Sequence, residues 1–354
     1  MARRRDRSTQ PVRPRGAGGE PVSLEVAVAA AMFAGVIAYA VLGGADFGSG
    51  FFDLTAGDSR RGAELRTLVD HSIGPVWEAN HVWLIYVLVI WWTGFPESFA
   101  AAMSTLVLPL LLALLGIVLR GASFAFRKYS ATLGQARMFG VIFAVSSIIT
   151  PFFLGTVAGA IASGRVPADG AGDRWSSWLN PTAVVGGVIA VGTCAFLAGI
   201  FLVADAHRSR LTRLTEDLRT RALAVGLATG AVVFAAVVPI LKDAPVLGDG
   251  LTGRAAPLVV LSAVAGVATM VLLWRRRYSA ARWPAVVAVA AVVSGWGVGQ
   301  YPWLLVGEVT ISEAAGAPAT LQGLLVAVGL AVVLVLPPLA YLLRLTQSEA
   351  WANH

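Results

Sequence analysis

Apolar runs of about 20 residues recur along this chain from Leu24 to Leu343, and each is long enough to cross a bilayer as a helix. That recurrence constrains the fold more than any other feature. Hydrocarbon offers no partner to an unpaired backbone group, so the spans are expected to be helical. The alternating pattern of a membrane barrel is absent. Charged residues make up 13% of the chain, about half the share of a soluble domain. The reading is an all-α integral membrane protein with about nine transmembrane helices, embedded in a lipid bilayer.

The expected spans are roughly 24–52, 78–102, 104–126, 137–162, 182–203, 221–241, 255–273, 283–303 and 320–343. The second and third are hard to divide. Gly94, Pro96, Glu97 and Ser98 offer one turn and the region of Ser104 another. The later break is favoured, because the earlier one leaves the second helix barely long enough. Residues 1–23 hold six Arg among Pro and Gly and read as a disordered tail. The run from Leu24 is too long for a signal-peptide core and shows no clear cleavage site, so it reads as a retained helix. The membrane domain is expected over 24–345, with a short tail over 346–354.

The net charge of +7 is a topology signal rather than a nucleic-acid patch, because the Arg residues sit in short loops between apolar runs. With nine spans, one side receives Arg60, Arg61, Arg66, Arg127, Lys128, Arg137, Arg208, Arg210, Arg213, Arg219, Arg221, Arg275, Arg276, Arg277, Arg282 and Arg344. The other side's loops carry only Arg165, Arg174, Lys242 and Arg254. The first side, including the loop at 53–76, is therefore expected in the cytoplasm. This puts the Arg-rich N-terminus outside, against its own charge. Either later loops overrule the tail or the span count is off by one.

A charge inside a span is costly and needs a reason. Asp46 lies in Gly43-Gly44-Ala45-Asp46-Phe47-Gly48-Ser49-Gly50, where the glycines let another backbone approach. It reads as a helix-end carboxylate that reaches water or pairs with an Arg, or as a proton-relay group. In Gly74 to Leu84, Pro75 suits the start of a helix and Glu78 its first turn, where the dipole favours an anion. Glu78 and His81 are three residues apart and share a face. With Asn80 they could instead form a polar file entering from the cytoplasm. Glu-x-x-His is half of a carboxylate di-iron motif, but the chain holds only this one. Arg120 ends an apolar run; it either snorkels or pairs with Asp46 or Glu78. Trp77, Trp83, Trp91, Trp92, Trp296 and Trp303 fit interface belts and packing. The lone Cys194 allows no internal disulfide and reads as a buried spacer.

Four histidines are present, His71, His81, His207 and His354. Only His81 is near a membrane helix, so no haem or other metal is expected on this chain alone.

These stretches resemble subunit II of the cytochrome bd quinol oxidases. Gly43 to Gly50 is similar to that family's Gly-Phe-Asp-rich end of the first helix. Pro75 to Leu84 is similar to its most telling motif, Pro-x-Trp-Asp-Gly-Asn followed by Glu or Gln, then x-Trp-Leu. Arg120 to Arg127 resembles its Arg-x-x-x-Phe-x-x-Arg segment. Asn180-Pro181, Arg219 to Ala222, Tyr301 to Leu304 and Thr310 to Ala315 resemble later landmarks.

The resemblance implies two four-helix bundles plus one helix, in a bacterial inner membrane. It also implies a partner, subunit I, carrying two haems b and one haem d, with room for a small accessory subunit. The complex would oxidise quinol and reduce oxygen to water with cytoplasmic protons. By this resemblance Asp46, Trp77, Glu78 and Asn80 inherit a place on the proton route, with His81 beside them, while Arg120 and Arg127 are ion-pair residues. Glu78, Ala79 and His81 depart from the family's Asp, Gly and Glu or Gln, and Gly43 stands where many members have Asp. A secondary transporter using Asp46 and Glu78 is the alternative. A purely structural assembly subunit is a third reading.

Overall fold

A computed structural model describes residues 23–57, 62–73, 77–130 and 132–346. The expected N-terminal tail (all but Ser23), the expected C-terminal tail (all but Thr346) and Pro75 lie outside the described residues.

The helices are α1 (Leu24–Leu54), α2 (Ala63–Ile73), α3 (Trp77–Gly94), α4 (Pro96–Thr105), α5 (Val107–Lys128), α6 (Leu133–Ala162), α7 (Pro181–Arg208), α8 (Thr212–Ala235), α9 (Val237–Asp243), α10 (Pro245–Thr252), α11 (Ala256–Trp274), α12 (Tyr278–Gln300) and α13 (Pro318–Thr346). A small antiparallel hairpin, β1 (Trp303–Leu305) and β2 (Val309–Thr310), precedes α13. Among the described residues, eight helices are long and apolar enough to span a membrane. A ninth is obtained if α3 and α4 count as one bent span.

The expected break near Ser104 is present at Leu106, and the second span is in addition bent between α3 and α4. The axes differ by 119°, and the bend falls at buried Phe95, just before Pro96. Proline disfavours the helical region for the residue before it, and its missing N–H suits the first position of a new helix. The break at Leu106 separates α4 from α5.

Helix starts elsewhere have local causes. Asn180 accepts from Ala183 N–H at 2.9 Å with Pro181 at the first helical position of α7, which explains the Asn-Pro landmark. Thr132 and Gln135 form a reciprocal capping box at the start of α6.

α1, α3, α5 and α6 make one group of four; α7, α8, α11 and α12 make the other, and α13 packs on α1 and α3. The groups join where α7 meets α1 and α6. Close approach there depends on glycine. A Cβ on Gly48 would lie 1.9 Å from the Cys194 carbonyl oxygen, and one on Gly155 would lie 2.5 Å from that of Gly186. In hydrocarbon such contacts drive helix association. Large apolar side chains on α5, α11 and α13, including Leu114, Val264 and Val333, face outward.

Candidate functional site

Asp46 and Arg120 meet inside the first group of helices. Arg120 Nη2 lies 2.5 Å from Asp46 Oδ1, with the two side chains 1% and 2% exposed. Arg120 also donates to the Asp46 carbonyl at 3.2 Å and through Nε to Ser147 Oγ on α6 at 3.0 Å. Its guanidinium carbon sits 4.9 Å from the ring centres of both Phe47 and Phe143. Arg120 therefore does not snorkel; it is a fully buried cation held by one carboxylate, one carbonyl, one hydroxyl and two aromatic faces.

Asp46 Oδ2 has no hydrogen-bond partner, and neither do the buried atoms Tyr39 Oη and His81 Nδ1. Tyr39 lies two turns before Asp46 on the same face of α1. The His81 ring, on α3, is 6.4 Å from that of Tyr39 and 6.0 Å from that of Phe47. Asn80 is buried and its Nδ2 is also unpartnered. Orphaned polar atoms in a buried site are where ordered water is expected.

A second ionic rung lies seven residues further along both α1 and α5. Asp53, 3% exposed, accepts from Arg127 Nη1 at 2.7 Å and from Arg66 Nε of α2 at 2.8 Å. Arg127 Nη2 reaches Asp70 Oδ1 at 2.7 Å. Tyr39, Asp46 and Asp53 thus share one face of α1, in steps of about 10.5 Å along the helix. The ladder begins at the arginine-rich end and runs inward. Asp53, Asp70 and Tyr39 were missed by sequence reading, although the seven-residue spacing from Asp46 was the signal for two of them.

Two further carboxylates were also missed. Asp205 of α7 pairs with Arg282 of α12 and with Arg208 at 2.6 Å, and accepts from Ser72 of α2 at 2.9 Å. At the opposite end Asp243 pairs with Arg165 at 2.5 Å and accepts from the hydroxyl and N–H of Thr182. In the same end loop, the Asp173 carboxyl is held below its ordinary range, chiefly by the Ser176 N–H and then by the Trp175 N–H.

The landmark Arg219 donates to the carbonyls of Leu273 and Trp274 at the end of α11. Thr310 and Glu313 bond reciprocally in the turn after β2. Trp296, expected in an interface belt or in packing, packs on Phe33 with its Nε1 buried.

Trp77 and Glu78 occupy the first two positions of α3; their side chains lie outside the described residues. Among the described residues, no group of three or more His, Cys, Asp and Glu forms a metal-type cluster. His71 Nδ1 faces the Thr67 carbonyl at 2.9 Å, His207 packs on Tyr278, and His354 lies outside the described residues. An apolar cavity of about 300 Å³ lies between α1, α6, α7, α8 and α12, with Tyr39, Phe47, Gly155, Gly186, Cys194 and Trp296 in its wall.

The family model for cytochrome bd terminal oxidase subunit II matches residues 24–346. The chain belongs to that family. Subunit II relatives include the cytochrome bd ubiquinol oxidase subunit 2 of Bacillus subtilis (strain 168). It is 27% identical over 247 residues, which is 68% of this chain and 70% of that protein. The cytochrome bd-I ubiquinol oxidase subunit 2 of Escherichia coli (strain K12) is 27% identical over 199 residues, covering 52% of this chain and 51% of the relative. The bd oxidase from Geobacillus thermodenitrificans shares the fold, with a TM-score of 0.77 at 23% identity, covering 92% of this chain and 98% of that one. As a subunit II, this chain is a multi-pass membrane protein. Its buried Asp46–Arg120 pair lies within two of the motifs that resemble the family's.

Proposed function

We propose that this chain is the haem-free subunit of a quinol:oxygen oxidoreductase in a bacterial cytoplasmic membrane. Its partner is a subunit I carrying two haems b and one haem d. Those haems supply the electron transfer and oxygen chemistry. This chain supports assembly and gives protons a path from the arginine-rich side, which is read as cytoplasmic on its charge bias.

The observation that carries the reading is the ladder along α1. Asp53, held by Arg66 and Arg127, marks its outer end. Asp46 presents one oxygen to Arg120 and leaves the other unpartnered, as are the buried Tyr39 Oη and His81 Nδ1. The ion pair fixes the carboxylate, and the free oxygen can accept a water and pass a proton. Glu78 and Asn80 on α3, with Trp77, are the further members proposed for this route. Nothing in the fold or the comparisons favours the secondary-transporter alternative.

The test is purification from a membrane that also expresses the partner. A co-purifying second chain with haem b and haem d absorption, and quinol-driven oxygen uptake by the pair, supports the proposal. The chain expressed alone should carry no stoichiometric haem. A colourless chain without a partner from the native membrane would overturn the reading.

A further inference from the structure

The α7–α8 and α11–α12 turns are built alike. At the first, Leu211 N donates to Ala206 O and Arg210 N to His207 O; at the second, Arg277 N donates to Leu272 O and Arg276 N to Leu273 O. Both have the Schellman pattern, whose pivot takes left-handed backbone and is usually glycine. Here both pivots are arginine, each with φ of 59°. A side chain at such a position is strained, and strained residues cluster at functional sites.

The two strained arginines line one concavity of about 220 Å³, together with His207, Thr212, Glu216 and Tyr278. Glu216 is already engaged there by Arg276, Arg219 and the Tyr278 hydroxyl. Arg210 makes no ion pair with any described residue, nor do Arg213, Arg275 and Arg277 beside it. The concavity is therefore cationic, and its one carboxylate is spoken for. Trp274 and Trp283, 71% and 77% exposed, flank the second turn, as aromatic side chains do at the level of lipid headgroups.

We propose that Arg210 binds the phosphodiester of an anionic phospholipid in this concavity, with Arg276, which keeps its pair with Glu216, adding positive charge beside it. Neighbouring cations attract the anionic headgroup, and the tryptophans offer apolar surface to its chains. A zwitterionic lipid fits less well, because Glu216 is not free to meet its ammonium group.

The test compares the purified, delipidated chain, with its partner subunit where that co-purifies, against the double variant Arg210→Gly, Arg276→Gly. Glycine relieves the left-handed strain, so the variant should melt in phosphatidylcholine at the wild-type temperature or above. Wild type should retain phosphatidylglycerol over phosphatidylcholine in native mass spectrometry, and the variant should retain it about tenfold less. Equal phosphatidylglycerol retention by both proteins would overturn the site. Equal stabilisation of wild type by millimolar inorganic phosphate alone, lost in the variant, would overturn lipid as the occupant.

Discussion

Asp46 on α1 and Arg120 on α5 form a buried salt bridge of 2.5 Å, and seven residues further along the same two helices Asp53 and Arg127 form another at 2.7 Å. The inner pair is closed to solvent, whereas the outer pair shares its carboxylate with a third residue, Arg66.

That difference sets an order of sensitivity. Arg120→Met strands Asp46 as a buried charge and should cost about 3–5 kcal/mol of stability. Arg127→Met leaves Asp53 with Arg66 and should cost less. Melting of the purified variants checks this. Equal melting temperatures for Arg120→Met and wild type would show that the buried pair holds nothing together.

Gly48→Ala should destabilise the junction of the two helix groups. The added Cβ would overlap the Cys194 carbonyl of α7, and backbone is slow to yield. Overpacking of this kind typically costs about 1–3 kcal/mol. A variant that assembles and melts like wild type would mean that α1 and α7 do not pack this closely in the membrane.

Orientation can be read with single cysteines, because the native Cys194 is buried. Ser209→Cys, in the α7–α8 turn, should resist a membrane-impermeant thiol reagent in intact cells. Ala168→Cys, in the loop before α7, should label quickly. The reverse pattern would invert both the sidedness and the direction of the proton path.

Glu78→Gln separates proton transfer from helix capping. Gln keeps the size and most hydrogen bonding, and as a cap change it should cost about 1 kcal/mol or less. Under the proton-route proposal the variant complex keeps its haem spectrum while oxygen uptake falls clearly. Wild-type uptake would remove Glu78 from the route.

The spans were legible because apolar length is sufficient to place a membrane helix. The break near Ser104 and the turn around Pro96 read as alternatives in the sequence, but the chain has both, because Pro96 restricts Phe95 while the apolar run continues to Thr105. The hairpin around Gly307 and the short helices α2, α9 and α10 carry no membrane-length signal. Asp46 and Arg120 were both singled out, but only the packing of α1 on α5 and α6 decides between snorkelling and pairing. Tyr39 drew no reading from the sequence, because only the fold shows that its hydroxyl is buried without a partner. Asp53, Asp70 and Asp205 sit near helix ends, where a charge costs little, and their partners are distant in sequence.

The most direct test of the proton ladder is quinol-driven oxygen uptake by an Asp46→Asn complex whose haem spectrum matches wild type. Asn can still accept a hydrogen bond from Arg120 but cannot exchange a proton. Loss of a positioned proton-transfer group typically slows turnover by about 100-fold or more, so uptake should fall steeply, with Asp46→Glu recovering part of it. Wild-type oxygen uptake by a spectrally intact Asp46→Asn complex would contradict the account.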